Sequence, residues 1–355
     1  MADGACGRVA LGMSGGVDSA VSAAVLLRAG YAVVGVTCRF QDDAAARRAE
    51  DDAAAVCARL GIDHAVVDAT GLFECEVVSP FVEAYARGLT PSPCIGCNAR
   101  CKVPALLAAA SDLGCGAVAT GHYARIAQMA EGPGAGRFVV KRALDASKDQ
   151  SYMLALLSQD QLARLVLPLG GMTKTDVRLM AADLGLPVAD KPESQDLCFT
   201  DDYRALLAAR GAADEPGPIV DGAGRVLGTH EGLSHYTVGQ RKGIGVAGPA
   251  PYYVVAKRPE ARELVVGFAE DALIGRVTVA APVWQAFEEL DAPLEASVKL
   301  RYRSRASACI IEPAENDRVR VLLRTPQPMT APGQFAVFSL GDTVLGGGMI
   351  EEVGK

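Results

Sequence analysis

Two groups of residues in this sequence have the types and spacing that chemistry requires, and the first is the loop SGGVDS, Ser14 to Ser19. The loop follows a short apolar run and precedes a helix-like stretch. Its glycines let the backbone approach a phosphate, and the first amides of the helix supply donors at the positive end of the helix dipole. Asp18 is a candidate magnesium ligand. Because the loop has neither the Lys-Ser/Thr pair of a Walker loop nor the glycine spacing of a dinucleotide-binding turn, it predicts a phosphate site of another type.

The second group consists of cysteines, of which the chain has 10. Cys94 and Cys97 form a C-x-x-C pair, Cys101 follows one helical turn later, and Cys198 lies far downstream. In an intracellular chain, such thiols indicate catalytic or metal-binding residues rather than a disulfide framework. Only a thiolate attacks well, so we expect neighbouring cations to lower the pKa values of the reactive thiols.

The composition limits the classes of protein to which the chain can belong. With 355 residues, half of them apolar, we expect two or three domains with substantial cores. No apolar run approaches the roughly 20 residues that a membrane span needs, and the N-terminal residues do not resemble a signal peptide. We therefore expect a cytoplasmic protein without membrane contact. The net charge of −7 argues against indiscriminate binding of nucleic acid, so an RNA site requires a local basic patch such as Arg301, Arg303 and Arg305.

The elements that position these residues follow a βαβ pattern from Val9 to about Thr120, which predicts a doubly wound parallel α/β sheet. The predicted strands are Val9 to Met13, Ala32 to Cys38, His64 to Val67 and Ala117 to Ala119, and the predicted helices are Asp18 to Ala29, Ala44 to Leu60 and Asn98 to Leu113. A hairpin at residues 125–142 and further helices complete a first domain, residues 1–210. We predict a small, mainly β domain at 211–275 and an antiparallel β-barrel at 276–355.

SGGVDS resembles the PP-loop of ATP pyrophosphatases, which bind ATP and release pyrophosphate after adenylating a substrate. Further motifs select the chemistry within that superfamily: TPSPCIGCN (90–98), ATGHYAR (119–125), KDQSYML (148–154), ESQDLCF (193–199) and YTVGQRKGIG (236–245). Their order is similar to that of the bacterial tRNA-uridine 2-sulfurtransferases, also called tRNA-specific 2-thiouridylases. The resemblance covers nearly the whole chain. It implies an adenine nucleotide alpha hydrolase-like first domain, a central adaptor domain and a tRNA-binding barrel.

The resemblance also implies roles for individual residues. The nucleotide-binding residues, for ATP with Mg²⁺, are Gly12, Met13, Ser14, Gly15, Gly16, Val17, Asp18, Ser19, Cys38 and Gly121. The residues that contact tRNA are Ser92, Pro93, Cys94, His122, Lys148, Asp149, Gln150, Arg301, Tyr302 and Gln334. A satisfied core histidine is the alternative for His122. If residues 300–304 form a strand, Arg301 and Arg303 share one face and Tyr302 points to the other, so the three side chains would not all touch RNA together.

The implied reaction is the ATP-dependent 2-thiolation of the wobble uridine, which an anticodon loop presents unstacked. The enzyme adenylates the C2 oxygen, which turns a poor leaving group into a good one; sulfur then attacks C2 and AMP departs. The resemblance gives the sulfur chemistry to Cys97 and Cys198. Cys198 receives a persulfide from a sulfur-relay protein or a cysteine desulfurase, and Cys97 frees the sulfur by attack or by disulfide formation.

The sequence departs from the common family pattern at Cys94, where many relatives carry Asp in P-D-x-x-C-N. A role for that carboxylate therefore does not transfer. One hypothesis is that Cys94, Cys97 and Cys198 ligate a [4Fe-4S] cluster whose open iron binds the attacking sulfide, and Cys101 is a candidate fourth ligand that would close this position. The alternatives are metal-free persulfide and disulfide chemistry, and structural zinc.

Two other functions remain as alternatives at this point. Another PP-loop adenylating enzyme, such as a small-molecule amidotransferase, would need an ammonia source, and no glutaminase module is evident in the sequence. A non-catalytic iron-sulfur or RNA-binding protein would have no need of an intact SGGVDS loop.

Overall fold

The computed structural model describes residues 7–189, 191, 197–212 and 215–355. The first four residues of the ESQDLCF motif, 193–196, lie outside the described residues, whereas Cys198 lies within them.

The first domain is built on a five-stranded sheet in which β1 is central and all pairings are parallel. Its strands and the hairpin after β4 are β1 (Arg8–Gly12), β2 (Ala32–Arg39), β3 (Asp63–Asp68), β4 (Ala117–Ala119), β5 (Ala124–Gln128), β6 (Phe138–Arg142) and β7 (Leu165–Val166). The sheet order is β3-β2-β1-β4-β7. Val9, Ala10 and Leu11 of β1 are fully buried, as expected for a parallel strand covered on both faces. The predicted doubly wound sheet is confirmed.

Helices cover this sheet and carry the site residues. They are α1 (Val17–Arg28), α2 (Ala44–Leu60), α3 (Thr70–Phe73), α4 (Ser79–Ala86), α5 (Pro93–Cys97), α6 (Val103–Asp112), α7 (Gln159–Ala163), α8 (Lys174–Asp183) and α9 (Tyr203–Ala209). Single π-helical turns, Glu74–Val78 and Asn98–Lys102, join α3 to α4 and α5 to α6, and Ser151–Leu154 forms a 3₁₀ turn. Asp43 caps α2 by accepting a hydrogen bond from the Ala46 amide, and Gly61 ends the helix in the left-handed conformation, which fixes the predicted boundaries.

The central domain is a four-stranded sheet with the order β10-β11-β8-β9. Its strands are β8 (Gly217–Val220), β9 (Val226–His230), β10 (Tyr253–Arg258) and β11 (Glu263–Gly267). Gly224 has a φ of 83° in the turn between β8 and β9, a conformation that favours glycine, and the Asp221 carboxylate accepts hydrogen bonds from the Ala223 and Arg225 amides. These contacts close the hairpin formed by β8 and β9.

The C-terminal domain is a closed antiparallel barrel. Its strands are β12 (Leu273–Trp284), β13 (Leu294–Lys299), β14 (Ser307–Ala314), β15 (Arg318–Pro328), β16 (Phe335–Leu340) and β17 (Thr343–Gly354). The barrel closes because β12 pairs with both β15 and β17. Strand β6 of the first domain pairs with β17, so the β5–β6 hairpin extends the barrel sheet. The barrel is therefore joined directly to the domain that carries the phosphate loop.

The junction between the barrel and the first domain is packed and polar groups cross it. The Tyr152 hydroxyl donates to the Phe335 carbonyl oxygen at 2.9 Å, and the fully buried Gln285 amide group bonds to Val140 and Leu154. Buried polar groups with satisfied partners specify one arrangement of the surrounding chain. These hydrogen bonds therefore hold the barrel and the first domain in one arrangement at their junction.

One prediction about the barrel is wrong, namely the strand at residues 300–304. Strand β13 ends at Lys299, and Arg301 and Ser304 close a turn in which the Ser304 amide and hydroxyl both donate to the Arg301 carbonyl oxygen, at 3.1 and 2.8 Å. A serine hydroxyl competes in this way with the hydrogen bonds of a strand. The alternation argument for Arg301, Tyr302 and Arg303 therefore does not apply.

Within the described part of the chain, none of the helices is both long enough and apolar enough to cross a membrane.

Candidate nucleotide and cysteine site

The phosphate loop, Ser14 to Ser19, leaves the carboxyl end of β1 and turns into α1. The hydroxyl oxygens of Ser14 and Ser19 lie 3.3 Å apart, and the Ser19 hydroxyl donates to the Gly16 carbonyl oxygen at 3.0 Å. Gly16 caps α1 without a side-chain hydrogen bond to the helix, so the first amides of α1 remain available to an anion. Gly15 has a φ of 65°, and an added Cβ would lie 2.5 Å from the Ala49 carbonyl oxygen of α2. The loop thus packs closely on α2.

Asp18, in the first turn of α1, is held by two side chains that the sequence did not identify. One oxygen of its carboxylate, Oδ1, accepts hydrogen bonds from the Tyr123 hydroxyl and the Lys174 ammonium, each at 2.7 Å. Lys174 is buried at 8% exposure, whereas the Asp18 side chain is 34% exposed, so it is the ammonium of this pair that is held away from water. The carboxylate predicted to bind magnesium therefore already has a cation beside it.

Lys174 reaches the loop because the start of α8 is fixed. Thr173 and Asp176 form a capping box, and the Lys174 amide donates to the Asp145 carboxylate at 3.0 Å. The local signal of a capping box was visible in the sequence, but nothing in it indicates a contact with Asp18, which lies 156 residues away.

A second lysine lies on the other side of the loop. The Lys191 ammonium donates to the Gly15 carbonyl oxygen at 2.9 Å and forms an ion pair with the Asp52 carboxylate of α2. The phosphate loop therefore lies between two cations, each held by a carboxylate.

The other residues predicted to bind the nucleotide lie around the same end of the sheet; among them, the resemblance assigns Cys38 and Gly121 to the adenine pocket. Gly12 ends β1, the Met13 amide donates to the Val36 carbonyl oxygen at 2.8 Å, and Cys38 lies near the end of β2. Burial raises the pKa of the Cys38 thiol to about 11, so this thiol is neutral at physiological pH. An added Cβ at Gly121 would lie 3.1 Å from the Ser19 amide nitrogen. Glycine at position 121 thus lets the chain after β4 pass close to the phosphate loop.

The C-x-x-C pair lies on α5, which continues through the π-helical turn into α6. Cys97 is buried and Cys101 is completely buried. The Cys101 thiol donates a hydrogen bond to the Cys97 sulfur, which lowers the pKa of Cys97 to about 7, assisted by the charges of Lys102 and Arg100. The same hydrogen bond, with burial, raises the pKa of Cys101. Of Cys97 and Cys101, Cys97 is therefore the thiol that ionises at the lower pH.

Cys198 lies at the end of the first domain beside an aromatic cluster. Phe199 is buried against Phe73 and Phe81, with ring centroids 5.8 and 5.2 Å away, and its carbonyl oxygen accepts a hydrogen bond from the Gln41 side chain. Cys198 itself is exposed. Partial loss of water around its sulfur raises the pKa of Cys198, and the positive charge of Lys102 opposes this rise.

Lys102 is the cation that the three predicted thiols share. Burial raises the pKa values of Cys94 and Cys198, and the charge of Lys102 opposes this rise; the same charge contributes to the lowered pKa of Cys97 and acts on His122 next to Gly121. The effect of a charge on the pKa of another group falls with the distance between them, so Lys102 lies near all of these groups. The structure thus brings the thiols and the wall of the nucleotide pocket to one region.

A metal-ligand set is not present among the described side chains, where no three His, Cys, Asp or Glu residues form a group that could hold a metal ion. Cys94, Cys97 and Cys198 are all described, and they do not form such a set as they stand. The iron-sulfur ligands stay a prediction.

Tyr302 brings the barrel close to the predicted substrate contacts at Ser92, Pro93 and Cys94, which begin α5. Burial raises the pKa of Tyr302, and the charge of Asp149 adds to this rise, followed by a smaller contribution from Cys94. The Lys299 ammonium lies 5.7 and 5.8 Å from the ring centroids of Tyr152 and Tyr302. Sequence reasoning missed Lys299, because the predicted strand through Tyr302 gave no reason for the two rings to approach each other.

Gln334 and Arg301 occupy different parts of the barrel surface. The Gln334 side chain donates to the Thr90 carbonyl oxygen at 2.6 Å, just before the C-x-x-C helix, and Arg301 lines a cavity of about 330 Å³ with Arg305 and Ser304. Gln334 thus positions the segment that leads to Cys94, in addition to any contact with RNA.

The predicted tRNA contacts Asp149 and Gln150 make hydrogen bonds within their own loop. The Asp149 carboxylate accepts from the Ala143 amide and from Ser151, and Gln150 exchanges two hydrogen bonds with the Tyr123 backbone, at 2.9 and 2.8 Å. Lys148 precedes them at the surface of this loop. The loop is therefore shaped by the residues predicted to touch RNA, and it also supports Tyr123 beside Asp18.

His122 is half-buried and neutral. Its Nδ1 lies 2.8 Å from the Thr120 hydroxyl, and burial, with the charge of Lys102, lowers the pKa of His122 to about 3. A neutral imidazole accepts or donates one hydrogen bond at each nitrogen but does not act as a cation.

Three family models match consecutive parts of the chain. They are the tRNA methyl transferase HUP domain at residues 7–202, the tRNA methyl transferase PRC-barrel domain at 206–268 and the aminomethyltransferase beta-barrel domain at 275–350.

Curated relatives match over nearly the full length. A tRNA-specific 2-thiouridylase MnmA of Trichormus variabilis is 44% identical over 97% of this chain and 99% of its own length, and one of Pelotomaculum thermopropionicum is 43% identical over 98% of both chains. Among solved structures, a 4-thiouridine synthetase in complex with RNA and ATP overlaps with a TM-score of 0.34 at 20% identity, over 54% of this chain and 45% of that one. That overlap is too small to support an argument.

Proposed function

Since the chain belongs to the family of tRNA-specific 2-thiouridylases MnmA, we propose that its phosphate loop and its cysteine pair perform the two halves of tRNA 2-thiolation. The enzyme is a tRNA-uridine 2-sulfurtransferase that uses ATP. The observation that supports the division of labour is the position of Lys102, whose charge acts both on the thiols and on His122 at the nucleotide pocket.

The first half of the reaction is adenylation at the phosphate loop. The C2 oxygen of the wobble uridine attacks the α-phosphorus of ATP, the bond to the β-phosphate oxygen breaks, and pyrophosphate leaves while the N3 proton is lost to solvent. The open amides of α1 stabilise the charge that develops on the phosphates, and Lys174 holds Asp18 in place beside them. A magnesium ion that arrives with ATP would supply further positive charge on the phosphates.

The second half is sulfur transfer at the cysteines. The terminal sulfur of a persulfide on Cys198 attacks C2, and AMP departs with the C2 oxygen. The Cys97 thiolate then attacks the Cys198 sulfur. The sulfur–sulfur bond breaks, its electron pair goes to the sulfur on C2, and N3 regains a proton. A Cys97–Cys198 disulfide is left, which a thiol reductant must reduce before the next turnover. The lowered pKa of Cys97 suits the residue that must be a thiolate.

Two partners follow from this scheme. The exposed position of Cys198 suits delivery of sulfur from a relay protein or a cysteine desulfurase. The target uridine enters from an anticodon loop, held between the start of α5 and the barrel turn at Tyr302. We place the reaction in the cytoplasm, where both partners would meet the enzyme.

The iron-sulfur alternative assigns Cys94, Cys97 and Cys198 as cluster ligands. No step above passes through iron, because these side chains do not form a ligand set among the described residues. Anaerobic purification followed by analysis of iron and acid-labile sulfide separates the two schemes. Active protein without iron supports the thiol scheme, and activity that depends on about four irons per chain supports the cluster.

The function as a whole is tested by exchange of labelled pyrophosphate into ATP and by mass spectrometry of tRNA nucleosides. We expect exchange that depends on unmodified tRNA, and 2-thiouridine when a persulfide donor is added. Exchange that needs no tRNA and responds to a small-molecule acceptor would instead support an amidotransferase-like enzyme.

A further inference from the structure

Lys191 lies at the rim of the phosphate loop, although neither the sequence motifs nor the resemblance assigns it a role. Its ammonium donates to the Gly15 carbonyl oxygen at 2.9 Å and pairs with the Asp52 carboxylate. Gly15 itself approaches Asp52 closely, because an added Cβ would lie 3.0 Å from the Asp52 Cβ. Lys191, Gly15 and Asp52 therefore meet at one place, where the loop packs on α2.

The backbone that carries Lys191 is fixed from the N-terminal side. Leu186 and Val188 are buried in the core of the parallel sheet, and the Arg178 guanidinium of α8 donates to the Ala189 carbonyl oxygen at 3.2 Å. The Lys191 amide donates to the Val188 carbonyl oxygen at 3.1 Å. The ammonium is thus delivered to the loop by a packed segment.

The two lysines at the loop differ in how easily they can change partners. The side chain of Lys174 is 11% exposed, and that of its partner Asp18 is 34% exposed, so this ammonium is held largely out of water. The side chains of Lys191 and Asp52 are 38% and 41% exposed. An ion pair with this exposure contributes little stability, so its ammonium can turn to a more highly charged anion at small cost. Within SGGVDS there is no basic residue to meet a triphosphate, so its charge must be met from outside the loop.

We propose that Lys191 is a further ATP-binding residue, whose ammonium leaves Asp52 to contact the β- and γ-phosphates that depart as pyrophosphate. The proposal rests on the proposed function only in that ATP is the substrate. We assign Lys191 to the leaving group rather than to the adenosine portion, because its ammonium contacts Gly15 of the loop that is predicted to hold the phosphates.

The test measures binding of Mg²⁺-ATP, Mg²⁺-pyrophosphate and AMP to the full chain by titration calorimetry. We expect Lys191→Ala to weaken the binding of ATP and of pyrophosphate by about tenfold or more, since a hydrogen bond between charged groups is lost. The binding of AMP should be unchanged. Asp52→Asn frees the same ammonium from its carboxylate and is expected to tighten pyrophosphate binding several-fold. Lys355→Ala removes a lysine from an exposed ion pair with Asp271 and serves as the charge-matched control with unchanged binding.

A purely structural role for Lys191 would give a different pattern. Lys191→Ala and Asp52→Asn would then both weaken the binding of all three ligands, or of none. Equal weakening of AMP, or weaker pyrophosphate binding in Asp52→Asn, overturns the proposal, and the second variant decides the matter if Lys191→Ala does not fold. If wild type binds ATP with these dependences but makes no 2-thiouridine from tRNA, the proposed function fails while the phosphate contact stands.

Discussion

The phosphate-loop half and the cysteine half of the site handle charge in opposite ways. Around the loop, each lysine is held by a carboxylate, Lys174 by Asp18 and Lys191 by Asp52. Around the cysteines, Cys94 stands where the resemblance leads one to expect Asp, and the charge of Lys102 acts on thiols instead. The loop half is thus prepared for an anion that arrives from solution, whereas the cysteine half stabilises an anion that the protein makes from one of its own thiols, Cys97.

This difference predicts that the two halves can be inactivated separately. Variants of the loop half should impair ATP binding and adenylation, and with them the whole reaction. Variants of the cysteine half should leave adenylation intact and stop only the transfer of sulfur.

The largest effect is expected from Cys97→Ser and Cys198→Ser. Each should lower formation of 2-thiouridine by at least about a thousandfold, since a serine hydroxyl is not ionised at neutral pH, while tRNA-dependent pyrophosphate exchange persists. Mass spectrometry of nucleosides and the exchange assay measure the two quantities. Cys75→Ser, which changes an exposed thiol that the scheme does not use, is the matched control. Loss of exchange in the cysteine variants would remove the separation between the halves.

Next in size is Lys174→Ala. Removal of the ammonium leaves the Asp18 carboxylate with the Tyr123 hydroxyl as its hydrogen-bond donor and places an uncompensated negative charge beside the phosphates. We expect pyrophosphate exchange and 2-thiouridine formation to fall together, by about a hundredfold. Lys174→Arg keeps the charge and should recover part of both activities. Intact exchange in Lys174→Ala would contradict the role given to this ion pair.

A smaller effect is expected from Gly121→Ala. Its added Cβ would lie 3.1 Å from the Ser19 amide nitrogen, so the loop or the chain after β4 must shift, at a cost of about 1–3 kcal/mol. The KM for ATP should rise by roughly tenfold, as that cost implies. Gly116→Ala adds the same methyl group where no neighbouring atom lies within 4 Å and should change neither stability nor KM.

The smallest effect concerns pH. Because the Cys101 thiol lowers the pKa of Cys97, Cys101→Ala should raise that pKa, so a higher pH is needed to form the thiolate. The acid limb of 2-thiouridine formation should move upward by roughly one pH unit, toward the ordinary range of cysteine. Cys101→Ser retains a donor and should move it less. The pH profile of pyrophosphate exchange is expected to stay unchanged, and a parallel shift there would show that the two halves are not independent.

The parts of the molecule that local sequence encodes were predictable. The alternation of short apolar runs with helix-like stretches predicted the parallel sheet. The position of SGGVDS between a strand and a helix predicted the phosphate loop. The ion pairs around that loop were not predictable, because Lys174 and Lys191 reach it across 156 and 139–176 residues of chain. Contacts at such separation leave no periodic signal.

The cysteines and the barrel turn show a second limit. The spacing of Cys94 and Cys97 left both a metal site and metal-free thiol chemistry open. It placed Cys101 one turn after Cys97, but it did not reveal the π-helical turn between them or the lowered pKa that the Cys101 thiol gives Cys97. In the barrel, residues 300–304 were considered as a strand, but strand β13 ends at Lys299 and the Ser304 hydroxyl donates to the Arg301 carbonyl oxygen in a turn.

The central claim is that sulfur transfer consumes the Cys97–Cys198 thiol pair, and a single turnover tests it most directly. Protein loaded with persulfide would be mixed with tRNA and Mg²⁺-ATP without reductant and quenched, and both tRNA nucleosides and protein peptides would be measured by mass spectrometry. The scheme predicts one Cys97–Cys198 disulfide for each 2-thiouridine formed, in protein free of iron. Formation of 2-thiouridine without this disulfide, by protein that requires iron, would contradict it.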